Sequence, residues 1–425
     1  GSVLMLRPAA AETLEIAAAA LTTPRLDGLP VDGLPGSALE LPSGWRFRAG
    51  HSEAWAARDF DDSSWLTLDS LETYLAPATR QRINWAGEGW FRLRLRLDAP
   101  PTTQDISLLY EHMGALAIYL DGALLHASGQ VASRMSDEVV HLVIGRMEAT
   151  PLPLIPGTEH VLALHYSNRA SLGMLSLPDE LGFGVGLAET DSWERSAQRY
   201  FYSRVAHQTL FVIPLVFGIF HLLLFLFHRQ GLAHLYYALF ALSVSVLIYA
   251  PLHLVFVHTP RDATVLLLAF KWSLLAAPIT GLLFLYTEFI GRVSRWFKVA
   301  CVVAVGISTV ALFLPVELFH YMAMLLFVDV VRVVIIGLRR DTPGAGVVRA
   351  GWFLFTTGCT LQILAELDII ARPFSDDDPY NFFPYIYGTL ILVVSMSIYL
   401  ARTVARTNRD LATQLEQVRA LSAGA

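Results

Sequence analysis

The sequence predicts an extracytoplasmic all-β jelly-roll sandwich, then an α-helical seven-transmembrane bundle and a cytoplasmic helical (coiled-coil) extension. Three observations predict this arrangement. The 425 residues are 54% hydrophobic and only 16% charged, whereas soluble domains usually carry about 25% charged residues. After residue 205 the apolar residues form runs long enough to cross a bilayer. Before residue 195 the chain consists of short alternating segments separated by turn residues.

These patterns divide the chain into four segments. An N-terminal segment, 1–40, precedes the predicted sandwich, 41–195. The seven-helix domain covers 205–402, and a cytoplasmic signalling helix follows at 403–425. The net charge of -6 argues against a nucleic-acid partner, which requires a basic face.

The clearest strand lies at residues 90–97. Its leucines, Leu93, Leu95 and Leu97, alternate with arginines, which predicts a half-buried strand with one face in water. Asp121-Gly122 follows an apolar segment and predicts a hairpin turn. Short strands with turns at this spacing predict a sandwich or jelly roll.

The apolar half predicts seven spans, each long enough to cross a hydrocarbon core about 30 Å thick. They are residues 208–227, 232–257, 263–290, 297–314, 321–338, 346–370 and 383–400. Because the number is odd, the two ends of the chain are expected on opposite sides of the membrane. Ten arginines and lysines flank one set of ends and five flank the other. Positively charged loops stay in the cytoplasm, which predicts an inner-membrane protein with its N-terminal domain outside.

Two motifs of the N-terminal half resemble the opening of galactose-binding-like jelly rolls. They are residues 44–50, Gly-Trp-Arg-Phe-Arg-Ala-Gly, and residues 59–65, Asp-Phe-Asp-Asp-Ser-Ser-Trp. That family includes the non-catalytic sugar-binding domain of family-two glycoside hydrolases. The resemblance covers about 150 residues and implies a jelly-roll fold. It also makes a glycan or another extracytoplasmic small molecule the expected ligand.

The loop before residue 90 contains the residue types that bind sugars, namely aromatic rings with a carboxylate and an amide. The predicted ligand-binding residues are Asn84, Trp85, Glu88, Trp90, His112 and Arg134. The alternative interpretation is an ordinary loop with one buried tryptophan.

Residues 218–229 and 235–240 resemble the start of the bacterial seven-transmembrane receptors with diverse intracellular signalling modules. Members of that family join an extracytoplasmic jelly roll to seven helices and then to a kinase, cyclase or phosphatase. The resemblance implies a sensory receptor without catalytic residues of its own. We expect its output module to be fused after residue 425 or docked there.

Charged residues inside predicted spans are costly and are therefore candidates for function. Lys271 and Glu366 lie at similar depths and can pair if their helices touch, with Asp368 nearby. Asp329 and Arg332 lie three residues apart and share a helix face. Ion pairs of purely structural importance are the alternative to ligand or relay sites. The histidines of the spans lack helical ligand spacing, so we expect no metal ion there.

The tail repeats apolar residues at heptad spacing. Val404, Leu411 and Val418 recur every seven residues, with Leu415 between the last two. This pattern predicts a dimer seam and hence a homodimer with parallel tails. A solvated amphipathic helix is the alternative.

These patterns favour a sensory receptor embedded in membrane lipid, with no catalytic residue, no metal and no cofactor. One alternative is a transporter with an extracytoplasmic substrate-binding domain, although no paired broken helices are seen. The other is a membrane-anchored enzyme that processes glycans, but the sequence shows no compelling pair of carboxylates.

Overall fold

The computed structural model of the chain describes residues 13–17, 39–41, 44–68, 77–98, 105–170, 182–227, 231–338, 345–366 and 384–423. These residues form two compact units. The first comprises Gly1–Tyr202 with His253–Leu266, and the second comprises Ser203–Leu252 with Leu267–Ala425.

All the strands belong to the first unit and form its β domain. They are β1 Leu14–Ile16, β2 Leu39–Glu40, β3 Trp45–Ala49, β4 Leu66–Leu68, β5 Glu88–Leu97, β6 Ile106–Leu120, β7 Ala123–Ser128, β8 His141–Pro151, β9 Glu159–Ser167 and β10 Phe183–Glu189. The α-helices are α1 Pro77–Arg82, α2 Thr190–Thr209, α3 Val212–Phe227, α4 Leu232–Leu254, α5 Pro260–Leu285, α6 Arg295–Thr309, α7 Val316–Leu338, α8 Ala345–Glu366 and α9 Pro384–Ala423. A π-helical segment, Tyr286–Ile290, extends α5.

The β domain is built around β6, a strand of 15 residues that belongs to two sheets. Its first half pairs with β8 and β10, and its second half pairs with β7 and β9. The second sheet continues through β5, β3 and β4, and every pairing is antiparallel except that of β1 with β5. Gly114 lies where β6 passes between the sheets, and a Cβ there would overlap the backbone oxygen of Ser167. The predicted hairpin turn is present, with Asp121 and Gly122 at positive φ between β6 and β7.

Strand β5 shows the predicted alternation, and the face predicted to be wet is exposed at Arg96 but buried at Arg92. Leu93, Leu95 and Leu97 are buried in the core of the domain. Arg92 on the opposite face is also buried, at 1% exposed. The expected solvation of this face is wrong for Arg92 because the segment that precedes β4 covers it. We call this segment, residues 50–65, the covering segment.

Asp62 of the covering segment compensates the buried charge. The Nε of Arg92 donates to Asp62 Oδ2 at 2.9 Å. A second N–H of Arg92 donates to the backbone oxygen of Trp55. Arg94 Nη2 lies 3.5 Å from the other oxygen of Asp62. A buried charge with a carboxylate and backbone oxygens around it is tolerated, whereas an unpaired one is not.

Each predicted span has helical residues within its described part. Among the described residues, five helical stretches are long and apolar enough to cross a membrane; they are Thr190–Phe227, Leu232–Leu254, Pro260–Ile290, Val316–Ile336 and Tyr385–Arg419. The remaining two predicted spans contain α6, of 15 residues, and α8, of 22 residues. Five apolar helices of membrane-spanning length are therefore present among the described residues, and the number seven stays a prediction.

The last helix, α9, runs without interruption for 40 residues from the last predicted span into the tail. Since no proline or glycine occurs between residues 389 and 423, nothing in the sequence breaks it. The seam residues Val404, Leu411, Leu415 and Val418 are all exposed in the single chain. The coiled coil thus stays a prediction.

The buried charge pair of the β domain gives a stability test. We expect Asp62→Ala to lower the free energy of unfolding by about 3–5 kcal/mol, because it leaves Arg92 buried without a carboxylate. Equilibrium unfolding of the full chain, followed by tryptophan fluorescence, measures this change. The matched control is Asp137→Ala, which removes the partner of the exposed Arg134 and should change stability by less than about 0.5 kcal/mol. Equal effects of the two substitutions would contradict the assignment.

Candidate functional site

The two tryptophans of the predicted ligand loop lie on opposite faces of the sheet. Trp85 is partly buried and stacks on Tyr166 at 5.8 Å between ring centroids, on the side of the main core. Trp90 is fully buried on the other face, where it stacks on His165 at 4.3 Å. Asn84 is exposed and has a positive φ of 49°. Trp85 and Trp90 therefore do not present their rings on one surface.

The other predicted ligand residues are equally dispersed. His112 on β6 is 0% exposed, and burial lowers the pKa of its imidazole to about 3, so the ring is neutral at physiological pH. Arg134 is exposed and pairs with Asp137, three residues away. The structure does not gather the six residues into one surface, because they lie on different elements. Asn84 and Trp85 precede β5, Glu88 and Trp90 lie in β5, His112 lies in β6, and Arg134 lies between β7 and β8.

Glu88 belongs to a polar cluster that sequence reasoning missed. Its Oε1 accepts hydrogen bonds from His51 Nδ1 at 2.7 Å and from His165 Nε2 at 3.1 Å. Its Oε2 accepts from Arg169 Nη2 at 3.2 Å. We call these four residues the Glu88 cluster. No sequence motif indicates the Glu88 cluster, because its members are separated by as many as 118 positions along the chain.

The electrostatics of the cluster fix its protonation. Burial favours the neutral form of Glu88, but hydrogen bonds from His51 and His165 outweigh burial and lower the pKa of the carboxyl. Burial lowers the pKa of His165 to about 4, although Glu88 opposes that shift. At neutral pH the cluster consequently holds a carboxylate, a neutral His165 and the Arg169 guanidinium.

A second polar cluster joins β8 to the loop 255–259, which connects α4 to α5. The backbone N–H of Leu142 donates to the backbone oxygen of His258 at 2.9 Å, and His258 Nδ1 donates to the backbone oxygen of Leu142 at 3.0 Å. The His141 and His258 rings stack at 4.3 Å. Arg146 Nη2 donates to Glu148 at 2.9 Å and lies 3.4 Å from His258 Nε2.

Apolar packing reinforces the contact between β8 and this loop. The buried cluster there is formed by Met113, Leu142, Ile144, Val257 and Ala263. Strand β8 has a bulge in this region. Val143 pairs with His112, but the next paired residue of β8, Glu148, is opposite Tyr110. The loop 255–259 is in this way an integral part of the first unit.

The buried lysine of the membrane half is hydrogen-bonded to backbone carbonyls. Lys271 on α5 donates to the backbone oxygens of Ala311 and Leu314 at 3.2 and 2.6 Å. These carbonyls lie at the start of a short 3-10 helix, Ala311–Phe313, and just after its end, and carbonyl oxygens at a helix end attract a cation. The side chain of Glu366 and all of Asp368 lie outside the described residues, so their pairing with Lys271 stays a prediction.

Asp329 and Arg332 form the contact expected from their spacing, with Arg332 Nε donating to Asp329 Oδ1 at 2.6 Å. Tyr286 of the π-helical segment joins them, because its hydroxyl donates to Asp329 Oδ2 at 2.9 Å. This network ties the end of α5 to α7. The sequence does not indicate that Tyr286 joins this network, because Tyr286 and Asp329 are 43 residues apart along the chain.

Polar contacts also converge on α9. His221 on α3 contacts Ser397 at 2.9 Å, and it contacts His234 on α4 at the same distance. The Tyr237 hydroxyl donates to the backbone oxygen of Val393 at 2.8 Å, and the Tyr399 hydroxyl donates to Glu288 at 3.1 Å. Helix α9 is therefore hydrogen-bonded to α3, α4 and the π-helical segment.

Three solved structures are similar to part of the chain. A Bacteroides uniformis beta-glucuronidase is 20% identical, with 35% of this chain and 17% of that chain covered and a TM-score of 0.27. A Bifidobacterium dentium beta-glucuronidase complexed with coumarin-3-O-glucuronide is 14% identical over 31% and 20%, with a TM-score of 0.24. A Ruminococcus gnavus b-glucuronidase in complex with C6-substituted uronic isofagomine is 12% identical over 36% and 28%, with a TM-score of 0.25. This chain thus covers less than a third of each protein.

A search of curated protein sequences finds no match to this chain. Among protein families, the model of 7TM diverse intracellular signalling matches residues 207–402. The match begins in α2, includes α3 to α8 and ends within α9. Residues 207–402 are therefore similar to the 7TM diverse intracellular signalling family.

Proposed function

We propose that the chain is a bacterial inner-membrane sensory receptor. Its β domain binds a ligand outside the cytoplasm, and its helices transmit the signal to an output module in the cytoplasm. The observation that carries this proposal is the family match over residues 207–402. A β domain precedes the matched helices, and a helix of 40 residues continues beyond them.

The proposed orientation rests on the arginines and lysines of the short loops. Arg292, Arg295 and Lys298 lie in one connection of the proposed cytoplasmic side, and Arg402, Arg406 and Arg409 begin the tail. The opposite side has the acidic run 376–378. Because positively charged loops are retained in the cytoplasm, the tail belongs there and the β domain outside.

The proposed ligand is a glycan or another small molecule. This choice rests on the sequence motifs at 44–50 and 59–65 that resemble galactose-binding-like jelly rolls. Asn84, Trp85 and Arg134 retain exposed surface and stay proposed ligand contacts. Glu88, Trp90 and His112 are buried, so a ligand reaches them only after the covering segment or a neighbouring strand moves.

The proposed signal enters the membrane half through the loop 255–259. Its hydrogen bonds to Leu142 and its share of the buried apolar cluster attach it to β8. The same loop joins α4 to α5. A ligand that binds more tightly to one arrangement of β8 therefore favours one arrangement of the ends of these two helices.

The proposed exit is α9, which continues as the tail. Hydrogen bonds join it to three other helical segments near Val393, Ser397 and Tyr399. A change in the packing of those segments shifts or rotates α9 as a rigid rod. In a homodimer, this movement alters the crossing or spacing of the two tails and so controls an output module.

The opposite placement of the β domain and the tail is testable by labelling. In a variant with Cys301→Ala and Cys359→Ala, a single cysteine replaces either Arg134 or Glu416. We expect a membrane-impermeant maleimide to label position 134 in spheroplasts and position 416 only after lysis. Equal labelling of both positions before lysis, in cells shown to be intact, would contradict the proposed topology.

The contact between β8 and the loop 255–259 gives a second test. We expect Val257→Asp to accelerate hydrogen exchange in residues 141–151 by about tenfold or more, because burying a carboxylate costs several kcal/mol and 1.4 kcal/mol is tenfold. Mass spectrometry of the full chain measures the exchange. Val139→Asp, at an exposed site of the same domain, is the control and should leave this region unchanged.

Cysteine crosslinking in membranes tests the proposed dimer seam. We expect cysteines at 404, 411 and 418 to form disulfides between chains, because these positions share one face of the tail helix. Arg409→Cys and Glu416→Cys are controls on the opposite face in either heptad register. Crosslinking that is equal at all five positions, or absent at the three seam positions, argues against parallel tails.

A further inference from the structure

The side chains of the Glu88 cluster present three potential metal ligands to one point. His51 Nδ1 and His165 Nε2 both approach the same oxygen of Glu88, at 2.7 and 3.1 Å. The three ligand atoms all lie within 4.8 Å of one another. Two imidazole nitrogens with one carboxylate oxygen are a ligand set that suits zinc and neighbouring transition metals rather than magnesium or calcium.

The spacing of these atoms is close to that of a tetrahedral metal site. Ligands about 2.0–2.1 Å from a tetrahedral zinc ion are about 3.3 Å apart. Each imidazole must therefore withdraw from Glu88 by only roughly 0.2–0.6 Å to admit an ion. His51 can make this movement, because it lies in the covering segment and its side chain is 43% exposed.

The remaining contacts hold the other two ligands in place. Trp90 stacks on the His165 ring with an angle of 11° between the planes. Arg169 binds the second oxygen of Glu88 and leaves the first oxygen for the ion. Such outer partners orient metal ligands and are typical of functional sites. The backbone beside Glu88 packs closely against Phe47, because a Cβ at Gly89 would lie 2.5 Å from the Phe47 ring.

We propose that His51, Glu88 and His165 bind a divalent transition-metal ion, with zinc as the best match, and that the fourth position faces solvent beside His51. An open position is typical of metal sites that bind an exchangeable ligand. This ion replaces the sequence-based expectation that the chain holds no metal. Its use in sensing rests on the proposed function, whereas metal binding itself does not.

The cluster at the loop 255–259 is a weaker metal site, although His141, Glu148 and His258 also lie close together. There Arg146 Nη2 lies between two of the potential ligands, at 2.9 Å from Glu148 and 3.4 Å from His258. A guanidinium already provides the positive charge that a metal ion would supply. In the Glu88 cluster the histidines contact the carboxylate directly, and Arg169 approaches from its far side.

Metal titration of the full chain tests the proposal. The tag-free protein in detergent is freed of metal with a chelator and titrated with Zn²⁺ by calorimetry and with Co²⁺ by visible absorption. We expect one ion per chain and the intense d–d bands of tetrahedral cobalt. His51→Ala and Glu88→Gln should each weaken binding by about tenfold or more, because each removes a ligand or its charge.

Two further variants make the outcome decisive. His258→Ala and His141→Ala each remove a potential ligand of the second cluster and should leave the affinity unchanged. Thermal unfolding without metal confirms that His51→Ala is folded, as expected for a half-exposed side chain. The proposal is overturned if the natural chain binds no ion, or if His258→Ala rather than His51→Ala removes binding. Neither result affects the labelling test of topology, so the receptor proposal is judged separately.

Discussion

The pair of hydrogen bonds between Leu142 and His258 is the contact on which the proposed signalling route depends. Each bond contributes only about 0.5–1.5 kcal/mol by itself. The apolar cluster around Val257 adds to them by removing further surface from water. Because His258 lies only a few residues from both α4 and α5, a movement of β8 must either displace the ends of these helices or break the contact. Breaking it leaves a buried backbone N–H without a partner, which raises the cost.

The covering segment links the two polar centres on the outer face of the second sheet. It carries His51, which contacts Glu88, and Asp62, which compensates the buried Arg92. Neither centre is an obvious source of stability, because desolvating the charges offsets much of the attraction between them. Both centres instead restrict the covering segment to one position. A ligand or ion that alters the contact of His51 therefore acts on the same segment that holds Asp62.

Local pattern predicted the elements of this chain well, and distant contacts escaped it. The alternation of residues 90–97 marked β5, and apolar length marked helices at every proposed span. The burial of Arg92 was not predictable, because the segment that covers it comes about 30 residues earlier in the chain. Separations of 37 and 77 positions likewise hid the contacts of His51 and His165 with Glu88. In the membrane half, the hydrogen-bond partners of Lys271 could not be predicted, because they are backbone carbonyls, which every residue has.

The free energies of the hydrogen bonds on α9 determine how readily this helix can change position. A hydrogen bond between membrane helices contributes roughly 0.6 kcal/mol on average and at most about 2 kcal/mol. The contacts at Val393, Ser397 and Tyr399 are thus worth about 2–6 kcal/mol together. Moving a two-state equilibrium from 1:99 to 99:1 requires about 5.5 kcal/mol. The sum of these hydrogen bonds is of the size that ligand binding can supply. Buried apolar side chains of α9, among them Leu392, Met396 and Leu400, also pack in the core of the second unit. A movement of α9 that changes the hydrogen bonds must therefore keep these side chains packed.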